Sequence, residues 1–83
     1  MLPSARKHGI PKLDAQHAYR NPIDIHELSD DMTMYIGPGR DGTLLEVGVV
    51  VARDEPGRVV IAHAMKARAR YLPQQPQRKP RKR

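Results

Sequence analysis

The chain has no cysteine, phenylalanine or tryptophan, and only three tyrosines. Without thiols there is neither a disulfide to brace the fold nor a thiolate to ligate a metal, which removes zinc-finger sites and thiol chemistry. Without large aromatics the core must be filled by Val, Ile, Leu, Met and Ala. No stretch approaches the roughly 18 to 20 apolar residues of a membrane span. No apolar run follows Arg6 and Lys7 as a secretory signal requires, so no membrane role and a cytoplasmic location are expected.

Acid is missing from one end. Residues 66–83 hold eight Lys or Arg and no Asp or Glu, while residues 1–65 hold seven bases against all nine acids. The net charge of +6 is therefore a property of the C-terminal end alone, and it points to a polyanionic partner, RNA or DNA. At 83 residues the chain suits one small domain with a modest stability margin, on the order of 5 kcal/mol.

Between the prolines and glycines the pattern predicts a short helix over 12–20, with Asp14 in its first turn and Ala15, Ala18 and Tyr19 as an apolar stripe. Asn21-Pro22 ends it. Ile23 and Ile25 alternate with Asp24 and His26 as an edge strand, and Met32, Met34 and Ile36 share one face of a second. Residues 43–53 form the strongest strand, and residues 58–64 return beside it after a short turn, which requires antiparallel pairing. Good helix formers from Ala64 to Leu72 predict a C-terminal helix ending before Pro73. The expected architecture is α+β: a four-stranded antiparallel sheet packed with N-terminal helical segments and a short C-terminal helix. Residues 1–72 form the compact domain, and 73–83 are expected to be a disordered basic tail.

The densest set of reactive side chains is His63, Lys66, Arg68, Arg70 and Tyr71. His63 should face away from the core, as a candidate for proton transfer, and Lys66, Arg68 and Arg70 are candidates to hold a phosphodiester. Tyr35 and Tyr71 are candidates for stacking on bases. Arg78, Lys79, Arg81, Lys82 and Arg83 can neutralise phosphates without reading sequence. Each has a plainer reading, as a solvated face, a packing residue or a solubilising extension. Asp24, His26 and His63 form too weak a constellation to predict a metal, and none is expected; nor is a cofactor. Gly37 to Gly42 lacks the Gly-Lys-Ser/Thr ending of a phosphate loop and reads as a turn.

Three blocks, Arg6-Lys7-His8-Gly9-Ile10 followed by Ala15 and Ala18, Ile36-Gly37 through Gly42-Thr43-Leu44-Leu45 with the valine-rich strand, and Arg58 through Arg68 to Tyr71, resemble the BrnT-like toxins of bacterial type II toxin–antitoxin pairs, within the RelE/ParE-like superfamily. The resemblance implies a RelE-like fold, an RNA-binding cleft to which Lys7 and His8 contribute, and a cognate antitoxin protein that covers it. It also implies a metal-independent endoribonuclease, a hydrolase acting on mRNA, whose basic character Lys66 and Arg68 match; His63 stands where similar toxins often have a small hydroxyl residue, and it joins Lys66 and Arg68 as a catalytic candidate on its own chemistry. Similar toxins carry a basic residue where this chain has Met65. The competing readings are a noncatalytic nucleic-acid-binding or regulatory protein of the same fold, and an interaction domain that binds an acidic partner chain.

Overall fold

The computed structural model describes residues 1–29, 31–52, 54–55 and 57–72. Asp30 and Pro56 of the expected turns, Arg53 at the expected end of the third strand, and the tail with Arg78, Lys79, Arg81, Lys82 and Arg83 lie outside the described residues.

A single 3-10 turn, Pro3–Ala5, precedes the helix α1, Lys12–Arg20. Four strands follow: β1 Asp24–Glu27, β2 Met32–Pro38, β3 Leu44–Val51 and β4 Val59–Lys66. They form one open antiparallel sheet in the order β1-β2-β3-β4. The α+β class, the four-stranded antiparallel sheet and the N-terminal helix are as the sequence pattern predicts.

α1 lies against β2 and β3 through its small residues Ala15 and Ala18, both fully buried. Opposite them Gly37 has no side chain for a reason of space: a Cβ there would collide with the carbonyl oxygen of Ala18 and stand 2.9 Å from that of Asn21. Backbone thus meets backbone at the helix C-terminus. The helix-side core comprises Ala5, Ala15, Ala18, Leu45, Val47, Val49 and Ala64, with Tyr35 and Ile61 packed at its margin.

β3 and β4 slip register between Gly48 and Val49, because Gly48 faces His63 while Val49 faces Ile61. Ala62 is the extra residue of this bulge. Its carbonyl accepts a hydrogen bond from Ser4 Oγ at 2.6 Å, and the Leu2 N–H donates to the Ile61 carbonyl at 2.9 Å. The N-terminal residues therefore lie along the outer edge of β4.

The expected C-terminal helix over 64–72 is replaced. β4 continues through Lys66, paired to Leu45, and the Ala67 N–H still donates to the Leu44 carbonyl at 3.0 Å. Only Ala69–Tyr71 turns, as one 3-10 turn. The helix propensity of these residues is worth tenths of a kcal/mol each, too little to outweigh ladder hydrogen bonds that β3 has ready for them. Among the described residues no helix is long and apolar enough to cross a membrane.

Candidate nucleic-acid interface

Strand alternation places Asp24, His26, Met34, Ile36, Glu46, Gly48 and His63 on the sheet face away from α1. Met34 and Ile36 are buried there, and between them and β4 so is an acid: Glu46 is fully buried. Sequence patterning passed over Glu46. The signal was present, because a lone carboxylate within the apolar run Leu44–Val51 has to be partnered if the strand is central.

Its partners are His63 and Arg68. The Arg68 backbone N–H and Nε donate to Oε1 at 2.9 and 3.0 Å, and Arg68 Nη2 donates to Oε2 at 2.7 Å. His63 Nε2 stands 2.9 Å from Oε2. An ionised carboxylate only accepts, so Nε2 is the protonated nitrogen. Burial, the largest single influence, pushes the Glu46 carboxyl up. The hydrogen bonds from the Arg68 side chain and backbone and from His63, with the guanidinium charge, outweigh it and hold the carboxyl below its ordinary 4.5. The Arg68 guanidinium is held more firmly protonated, chiefly by its hydrogen bonds to Glu46.

Gly48 makes room for this arrangement. A Cβ on it would stand 3.1 Å from His63 Cβ and 3.2 Å from Met32 Sδ, which close over the gap instead.

Around the buried group lie rings and cations. Tyr71 is tilted against His26 with centroids 5.3 Å apart, and the guanidinium carbons of Arg68 and Arg70 stand 5.6 and 5.2 Å from its ring centre. The His8 ring meets His63 edge-on at 6.0 Å. Lys7, His8 and Arg70 are exposed. The structure thus brings together His8, His63, Arg68, Arg70 and Tyr71.

It does not bring in Lys66 or Tyr35. Lys66 faces the α1 side, where it lines a cleft of about 270 Å³ with Ile10, Asp14, Asp41, Thr43 and Leu45. Tyr35 is also on that side, edge-on to Tyr19 at 4.8 Å.

The expectation of a ribonuclease, and of hydrolase activity, is corrected on this geometry. Among the described residues no group of three or more His, Asp or Glu side chains is arranged to hold a metal. The trio assigned to catalysis is not one cluster: Lys66 is on the opposite face of the sheet from His63 and Arg68, which share the buried Glu46 as partner.

Comparison with protein-family models, curated proteins and solved structures finds no match to this chain.

Proposed function

We propose that this chain is a noncatalytic nucleic-acid-binding protein of the cytoplasm, with RNA as its partner and the face opposite α1 as its contact surface. The observation that carries the reading is the approach of His8 to His63 at 6.0 Å. It joins the basic block Arg6-Lys7-His8 to a second basic block more than fifty residues later, beside the Tyr71 ring. Exposed cations attract phosphates, and rings and guanidinium planes stack on bases. The sequence beyond Leu72 adds five cations in its last six positions and no acid.

The resemblance to BrnT-like toxins supports the same surface as the one a cognate antitoxin would cover, and a RelE-like arrangement as the finer description of the fold. Such an antitoxin would compete with RNA for Lys7, His8 and Arg70.

The test is fluorescence anisotropy of a labelled RNA oligonucleotide titrated with the full chain in EDTA at several salt concentrations. Expected is an intact oligonucleotide and an affinity whose logarithm falls linearly with the logarithm of salt. Absence of binding at low salt by folded protein would overturn the reading.

A further inference from the structure

An ionised carboxylate is stable inside a protein only when hydrogen bonds and a counter-charge replace the water it loses. Glu46 meets that condition with four short bonds to two residues, His63 of β4 and Arg68 just beyond it. Its neighbours on the same sheet face in register, Ile36 and Met65, are apolar. Charge balance alone would need only the guanidinium. The additional bond from the Arg68 backbone N–H, at 2.9 Å, fixes the chain itself at that residue.

Ala69–Tyr71, directly after Arg68, has little to hold it in place. It is one 3-10 turn of three residues with none of them buried, and such a piece does not persist by its own hydrogen bonding. Yet this turn carries the exposed Arg70 and sets Tyr71 against His26 of β1. After the Ala67 N–H bond to the Leu44 carbonyl, the Glu46–Arg68 bonds are the last hydrogen bonds that tie the chain to the sheet before those two residues.

We propose that Glu46 is the positioning residue of the basic face: by gripping Arg68 at both guanidinium and backbone, it fixes where Arg70 and Tyr71 stand and withholds the Arg68 charge from an incoming phosphate chain. The second half rests on the nucleic-acid reading above; the first half does not. A role in stability alone makes no statement about salt dependence, whereas this one does. Once Glu46 is neutral, Arg68 is one more free cation, so the number of phosphates neutralised rises by one; once no acceptor remains there, the ring contact at His26 is lost.

The experiment uses the full chain with Glu46→Gln, which keeps the size and removes the charge, and with Glu46→Leu, which removes every acceptor for Arg68, backbone and guanidinium alike. Proton NMR reads the Tyr71–His26 ring contact and the amide pattern of the sheet. Titration of oligouridylate reads the salt dependence. In Glu46→Leu, which leaves no acceptor for the Arg68 backbone N–H, the ring contact should disappear while the sheet pattern persists. In Glu46→Gln the slope of log affinity against log salt should steepen by about 0.7, the value of one further phosphate on a single strand. Persistence of the Tyr71–His26 contact in folded Glu46→Leu, or an unchanged slope in Glu46→Gln, would overturn the proposal. Should Glu46→Gln fail to fold, Glu46→Leu, which also frees the Arg68 charge, reads both the ring contact and the slope. If the unsubstituted chain bound no oligouridylate, the nucleic-acid reading would fall, and the ring contact would still decide whether Glu46 positions the turn.

Discussion

His63 and Lys66, three residues apart in β4, face opposite sides of the sheet: His63 points to the buried Glu46, and Lys66 lines the cleft beside Asp14 and Asp41. An odd separation in a strand reverses the face, whereas in a helix the same separation would have kept the two side chains together. The loss of the expected helix thus dissolves the proposed catalytic group as well.

This separation makes a direct prediction for binding. Arg70→Ala should lower the steepness of the salt dependence on single-stranded RNA by about 0.7, one phosphate contact. Lys66→Ala should leave it unchanged, since Lys66 faces the α1 side. Equal losses in the two variants, measured by anisotropy across a salt series, would show that the surfaces on both sides of the sheet take part.

The close approach of α1 to β2 should make Gly37→Ala the most damaging of small substitutions. The added methyl meets the Ala18 and Asn21 carbonyl oxygens, which are backbone and cannot swing aside. Overpacking of this kind costs about 1 to 3 kcal/mol, sometimes more. Urea denaturation against the unsubstituted chain measures it, with a lower midpoint and an unchanged slope as the expected result.

Burial on the face away from α1 can be weighed against exposure on the helix. Ile36 is 0% exposed and Leu13 is 58% exposed. Ile36→Ala should cost about 2 to 5 kcal/mol through lost transfer energy and a residual cavity, and Leu13→Ala no more than about 0.5 kcal/mol in either direction. Thermal denaturation of the two variants should separate them clearly.

Acid should weaken the fold through Glu46. Its carboxyl titrates lower in the folded chain than its ordinary 4.5, so the stability it contributes is complete above that value and is lost as pH falls through the lower, folded one. Asp14, held down chiefly by its hydrogen bond from Arg40, and Asp41, held down by Thr43, act with the same sign from an ordinary 3.8. Denaturant midpoints measured from pH 7 to pH 3 should fall below about pH 4.5, the ordinary carboxyl range. In Glu46→Gln the midpoint should be lower at pH 7 and the acid decline shallower. A parallel decline in the two proteins would mean that the buried group is not ionised in the folded state.

Much of the frame is local and was readable from the chain. α1 is bounded by Pro11 and by Asn21-Pro22, and its two buried positions are the alanines of its apolar stripe. The strands are separated by turns rich in glycine, proline and aspartate, too short for anything but antiparallel neighbours. The site was less legible. His63, Arg68 and Tyr71 were recognisable by residue type, but Glu46, which organises them, is embedded in an apolar strand where a pattern of hydrophobicity registers it only as an interruption. Lys7 and His8 were connected to the site by resemblance, and only the course of residues 2–4 along the β4 edge shows His8 reaching His63.

By itself the sequence determined the helix, the order and pairing sense of the strands, and the segregation of positive charge into residues 66–83, because each depends on neighbours in the chain. Tertiary structure alone decided that Ala64–Lys66 would be strand and that Arg68 would serve Glu46. Both outcomes depend on groups of β3 about twenty residues away: the carbonyl and amide groups that complete the ladder, and one carboxylate whose burial requires a cation and a backbone N–H to be brought to it.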